Sequence, residues 1–224
     1  MKIVLKNLLK CAQYPIRKWK RSALVSEIAN RSTNGTLIRS VQELNLLLEA
    51  QAYINDQEIA VLGKYAKKAP GPLVEIGCAF GGSTCVLLSE LAEGSHLTSI
   101  DPFLQDSMIP FRADPETCTR NVRKVMDACK MPDRLRCWDL LVDCSWNVAR
   151  SWTHPLGLVF VDGDHRYEAV KRDVECWLPM LREGGFMILH DSRRIDDVQS
   201  DVHRRGWPGP TQVAREMRTW PGLE

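Results

Sequence analysis

Beyond Ala69-Pro70-Gly71-Pro72 the chain alternates short apolar runs with stretches of helical periodicity, and few folds accommodate that alternation. Leu73–Ile76, Leu97–Ile100, Leu135–Cys137, Leu158–Val161 and Phe186–Leu189 are predicted strands. Helices are predicted over 83–92, 116–130, 142–150 and 166–182. Strands that are continuously apolar and separated by helices imply βαβ units, a mainly parallel sheet covered on both faces and right-handed crossovers. The expected fold is therefore α/β and doubly wound. Upstream, residues 37–51 and 55–66 carry helical spacing, and the Pro-Gly-Pro segment ends it. This divides the chain into an N-terminal helical extension, 1–70, and a main domain, 71–224.

With 224 residues, 44% apolar and 26% charged, the chain can bury a substantial core. A net charge of +2 gives no reason to expect nucleic acid as a partner. No apolar run approaches the roughly 18 residues of a membrane span, so a soluble protein is expected. The eight cysteines form no Cys-x-x-Cys pair, and reduced thiols in the cytoplasm fit them best. Seven basic residues precede the first acidic one, Glu27, and alternate with Ile3, Val4, Leu5, Leu8 and Leu9. Such a segment suits either a helix packed on the domain or a neighbouring subunit, or peripheral contact with a membrane surface.

Open α/β sheets bind ligands beyond the carboxyl ends of their strands, near the point where strand order switches. The first strand leads into Gly77-Cys78-Ala79-Phe80-Gly81-Gly82-Ser83, and the second ends at Asp101. The third leads to Asp139, the fourth ends in Asp162-Gly163-Asp164-His165, and the fifth ends in His190-Asp191. Gly77-x-x-x-Gly81 is not the dinucleotide fingerprint, and Glu75 would repel a pyrophosphate. A carboxylate there suits an ammonium or sulfonium, and Asp101 is placed to bind ribose hydroxyls.

The segments Val74–Thr84, Phe160–His165 and Gly184–Asp191 resemble the class I S-adenosylmethionine-dependent methyltransferases, most closely their small sugar and natural-product O-methyltransferase branch. The resemblance implies that Glu75, Gly77, Ala79, Gly81, Gly82 and Ser83 hold the methionine part of S-adenosylmethionine. It further implies that Asp101 binds ribose, Asp139 lies near the adenine, and Asp162 borders the cofactor. Metal-dependent members hold Mg²⁺ with acidic residues after strands four and five, which here are Asp162, His190 and Asp191. His190 replaces the usual carboxylate, and histidine suits Mn²⁺ or another transition metal, or a site that has lost its metal. The acceptor would be a small-molecule or sugar hydroxyl, deprotonated by His165 or Asp164, with His165 favoured because it titrates near neutrality.

Blander roles compete at several of these positions. Asp162 could cap the following helix, and His190 could be a buried histidine without a catalytic part. Trp138, Trp146, Trp152 and Trp177 read as packing residues. The Gly184-Gly185 pair reads as a tight turn. After Asp191 the chain is polar and basic up to a helix near Pro210–Arg218, so the family's C-terminal strand hairpin is not legible. The exposed edge that results would favour a homodimer. Rival functions are a non-catalytic cofactor-binding protein and an NAD(P)-linked oxidoreductase.

Overall fold

The structure is a computed structural model that describes residues 23–24, 26–28, 37–48, 52–104, 113–192 and 208–223. The basic N-terminus, most of the loop after Asp101 and the arginines 193–205 lie outside the described residues. Five parallel strands run in the order β3-β2-β1-β4-β5, comprising β1 (Leu73–Ile76), β2 (Leu97–Ile100), β3 (Trp138–Leu141), β4 (Leu156–Val161) and β5 (Leu181–Leu189). The chain builds β1, β2 and β3 outward in one direction, then returns to the other side of β1 for β4 and β5. The order therefore switches between β1 and β4.

Side chains alternate across the sheet, and each face has its own helices. Leu73, Leu97, Leu158 and Phe160 point into one core with Leu44, Ile59, Leu62, Leu87 and Val122. These come from α1 (Val41–Leu48), α2 (Asp56–Lys68), α3 (Gly82–Glu90) and α4 (Pro115–Ala128). Val74, Ile76, Ile100, Val159 and Val161 face the other way, against Ala149, Val170, Val174, Trp177 and Val213. Those belong to α5 (Ser145–Ala149), α6 (Tyr167–Trp177) and α7 (Pro208–Met217). Every residue of β1, β2 and β4 is buried, because both faces of the sheet are covered, and none of the three shows period-2 alternation of apolar and polar residues down its full length.

Three strands depart from expectation, β4 only by starting two residues early, at Leu156. Residues 135–137 are not a strand: Pro132–Cys137 forms a 3₁₀ turn, and β3 begins at Trp138, whose indole donates to Ser99 Oγ at 3.0 Å. β5 begins at Leu181, five residues before the expected start, because Leu181 pairs with Leu156 before the register breaks and resumes at Phe186 opposite Leu158. The Gly184-Gly185 pair lies in that bulge, with Gly184 at φ 74°. The expected helix over 166–182 accordingly stops at Trp177. Among the described residues no sixth or seventh strand follows, and β5 is an edge.

α7 supports the loop after β4. Gly209 lies so close to that loop that a Cβ there would stand 2.1 Å from the carbonyl oxygen of His165. Nearby, Tyr167 Oη meets both carboxylate oxygens of Glu216 at 2.9 Å. Gly209→Ala should therefore push α7 off the loop and cost about 1–3 kcal/mol, as overpacking does. Thermal unfolding would show a lower midpoint, and an unchanged midpoint would contradict this packing.

Candidate functional site

The turn between β1 and α3 is held open by backbone contacts. Gly77 has φ 84°, and a Cβ on it would lie 2.1 Å from the carbonyl oxygen of Asp162, so only glycine lets the ends of β1 and β4 meet this closely. Gly81 also has φ 84°, with Val122 2.6 Å from its would-be Cβ. Asp101, at the end of β2, ties this turn to its neighbour. Its Oδ2 accepts from the amides of Cys78 and Ala79 at 2.9 Å each, and its Oδ1 accepts from Phe103 N at 2.7 Å. Ala79 and Phe103 are both left-handed, at φ 43° and 50°, and such strained residues gather at ligand loops.

Glu75 is fully buried beneath the turn. Its Oε2 accepts from Thr84 Oγ1 and Ser99 Oγ at 2.6 Å each, while Oε1 meets no aligned donor among the described residues. Burial pushes its carboxyl up to about 7, although the surrounding hydroxyls pull the other way.

The second group of side chains gathers where β4 and β5 end. Asp162 Oδ1 lies 2.8 Å from His190 Nδ1 and 3.8 Å from His165 Nε2. Asp191 Oδ2 lies 3.1 Å from His165 Nε2 and 3.6 Å from His190 Nδ1. From α2, Glu58 Oε2 reaches within 3.3 Å of His190 Nε2. Burial alone would lower the His190 value, but Asp162, Glu58 and Asp191 outweigh it and push it up to about 11. Burial also raises Asp162.

Asp164 is differently engaged. Its Oδ1 accepts from Arg166 N at 2.9 Å and its Oδ2 from Arg166 Nε at 2.7 Å. Burial opposes the effect, but these bonds hold its carboxyl below the usual range. Beneath the same turn, buried Asp173 contacts Ser145 Oγ, and burial pushes its carboxyl up to about 6.

The structure thus brings Glu75, Gly77, Ala79, Gly81, Gly82, Ser83 and Asp101 into one loop assembly. It brings Asp162, His165, His190 and Asp191 into another, joined to the first at Gly77 and Asp162. Asp162 does not cap α6, whose N-cap is Arg166. Asp139 is not brought in. It is the second residue of β3, paired in register with Thr98, and its carboxylate meets His96 Nε2 at 2.9 Å near the strands' amino ends. Once β3 is placed at Trp138–Leu141, the acidic residue beyond its carboxyl end is Asp143. Asp143 accepts from Cys144 N at 2.7 Å and Asn147 Nδ2 at 3.0 Å. Sequence reasoning also missed Glu58, Asp143 and Asp173. Asp143 was findable from a correctly placed strand end, whereas Glu58 and Asp173 lie in helices with nothing to mark them.

Residues 74–192 match the methyltransferase domain family, and the chain belongs to it: it is a class I S-adenosylmethionine-dependent methyltransferase. Its fold is similar to that of an O-methyltransferase from Bacillus cereus in complex with S-adenosylhomocysteine, at 16% identity and TM-score 0.55, over 89% of this chain and 80% of that one. It is also similar to the O-methyltransferase TomG from Streptomyces achromogenes, involved in tomaymycin synthesis, at 14% identity and TM-score 0.53, over 90% and 78%. A Corynebacterium glutamicum protein matches at 21% identity and TM-score 0.57, over 95% and 90%. Among the described residues no helix is long and apolar enough to cross a membrane.

The raised Glu75 value couples the stability of the fold to pH through one proton. The folded chain keeps this proton to about pH 7, whereas the unfolded chain releases it near its ordinary value of 4.5, so wild-type stability falls as pH rises between them. Glu75→Gln removes that titration. In urea unfolding at a series of pH values, the variant should gain on wild type as pH rises through this window. A difference that stays flat or shrinks would contradict the buried, protonated carboxyl.

Proposed function

We propose that the protein transfers a methyl group from S-adenosylmethionine to a hydroxyl of a small molecule or sugar, assisted by a divalent cation. The observation that carries this reading is the gathering of Asp162, His165, His190 and Asp191 directly against the Gly77 turn. The cofactor brings its methyl already bonded to a sulfonium, a good leaving group. The turn Gly77–Ser83 holds no basic side chain and has the Asp101 carboxylate against its amides, which fits such a cation better than a pyrophosphate. Glu75 acts from below, bracing α3 through Thr84, and the turn above it presents the backbone that would line the ligand. Asp101 orders the same turn and is proposed to take the ribose hydroxyls on its remaining lone pairs.

The protein's largest contribution is orientation of acceptor and donor, worth up to about 7–11 kcal/mol in favourable cases. Asp162, Asp191 and His190 are the proposed metal ligands, drawn from two overlapping groups that could hold an ion, Asp162-His165-His190 and Glu58-His190-Asp191, and such a mixed oxygen and nitrogen set suits Mn²⁺ as well as Mg²⁺. A divalent cation bound there would lower the pKa of an acceptor hydroxyl. His165 is the proposed base, because Asp191 lies against its Nε2 at 3.1 Å while Asp164 is committed to Arg166. The helical segment before residue 70 is proposed to shape the acceptor side. The O-methyltransferase activity of structurally similar proteins supports a hydroxyl acceptor.

His165→Ala and Asp162→Ala should each leave S-adenosylhomocysteine binding within a few-fold of wild type. Each should lower kcat by about 10²–10⁴, His165→Ala by removing the base and Asp162→Ala by removing a ligand of the cation that activates the hydroxyl. Full turnover in both variants on a hydroxylated acceptor would refute the proposed chemistry while leaving the cofactor site intact.

A further inference from the structure

The ring of His190 divides the second cluster into two sides. Its Nδ1 faces Asp162 at 2.8 Å and Asp191 at 3.6 Å, with His165 close to both carboxylates. Among the described residues its Nε2 faces the carboxylate of Glu58, at 3.3 Å. The His190 side chain is only 9% exposed, and neither ring nitrogen has an aligned hydrogen bond. An imidazole gives one metal ion one nitrogen. Glu58 could itself share an ion with His190 and Asp191, but the nearest oxygen donor to the ring is Asp162, on the Nδ1 side, and a metal held there leaves the ring proton on Nε2, facing Glu58. Histidines that hold metals usually donate their second N–H to a carboxylate, which fixes both tautomer and ring orientation.

Resting on the metal reading above, we propose that Glu58 is a positioning residue that holds His190 as an Nδ1 metal ligand by accepting the Nε2 proton. Glu58 belongs to α2, in the N-terminal helical segment, and its carboxylate is fixed from both ends. Asn55 Oδ1 accepts from Gln57 N at 2.9 Å and Glu58 N at 3.1 Å, and Glu58 Oε2 returns the contact by accepting from Asn55 N at 2.8 Å. This reciprocal cap holds the side chain in one rotamer. Behind it, Ile59, Leu62 and Ala66 are buried in the core, and the ring of Tyr65 meets Phe186 of β5 at 4.8 Å, edge to face. Phe160 meets the ring of His190 at 6.0 Å, also edge to face. α2 is thereby anchored to the strand that ends in His190, and it delivers a carboxylate to the far side of the ring.

The test is Mn²⁺ binding to the full chain, without cofactor, followed by calorimetry and by the loss of the free-ion electron paramagnetic resonance signal. Glu58→Gln is the informative variant, because glutamine serves the same capping position as glutamate and spares the helix. It should weaken Mn²⁺ binding about 10–100-fold. The metal-free unfolding temperature and the affinity for S-adenosylhomocysteine should stay at wild-type values. Glu58→Asp should recover part of the affinity. If wild type binds Mn²⁺ and Glu58→Gln binds it equally well, the role given to Glu58 is wrong and the metal site stands. If Glu58→Gln loses metal affinity only together with stability, the effect belongs to the helix cap and the proposal fails. If wild type binds no Mn²⁺, the metal reading and this proposal fall together.

Discussion

The close approach of β1 and β4 at Gly77 and Asp162 is the constraint on which the rest of the site depends. Asp162 N donates to Ile76 O at 2.8 Å, and the space above Gly77 admits no Cβ. This is where strand order switches, so the turn after β1 and the turn after β4 lead to helices on opposite faces of the sheet. One turn presents backbone amides organised by Asp101 and the other presents ionisable side chains. A single glycine thus sets the distance between the proposed cofactor seat and the proposed acid–base and metal chemistry. Both faces of the sheet are packed with apolar side chains, which leaves the strand ends as the place where polar groups can collect.

The collected polar groups influence one another through burial. Glu75 and Asp173 lie beneath the two turns, and both are shifted upward because little solvent reaches them. His190 shifts upward for the opposite reason, since three carboxylates surround a ring that burial alone would keep neutral. Asp164 shows how one neighbour can remove a group from contention: Arg166 holds it ionised and engaged, while His165, one position away, faces Asp191. The helices α2 and α7 reach this end of the sheet from opposite ends of the described chain. One presents Glu58 to His190, and the other lies against the backbone of His165.

Much of this was legible in the sequence because burial on both sheet faces leaves short runs that begin on Leu and end on Ile, and β1 and β2 were readable to the residue. The doubly wound class followed from the alternation, and the glycine turn with its flanking Glu75 and Asp101 followed from the strand ends. β3 was misplaced because Leu135 and Cys137 alternate about Arg136 as a half-buried strand would, yet Pro132 starts a 3₁₀ turn there. That slip carried Asp139 into the expected adenine site and left Asp143 unconsidered. The early start of β5 was hidden by its bulge, since Arg182 and Glu183 do not look like strand residues. Glu58 was invisible for a different reason: a carboxylate near a helix start is explained by capping, and its contact with His190 depends on how α2 packs.

The most direct test is calorimetric titration of the purified protein with S-adenosylhomocysteine, with NAD⁺ as the comparison, in wild type and in Gly77→Ala. Wild type should bind S-adenosylhomocysteine at micromolar concentration and NAD⁺ far more weakly, and Gly77→Ala should lose the binding because its Cβ forces β1 and β4 apart. Wild type that ignores S-adenosylhomocysteine, or a Gly77→Ala protein that binds it as tightly as wild type, would contradict the account.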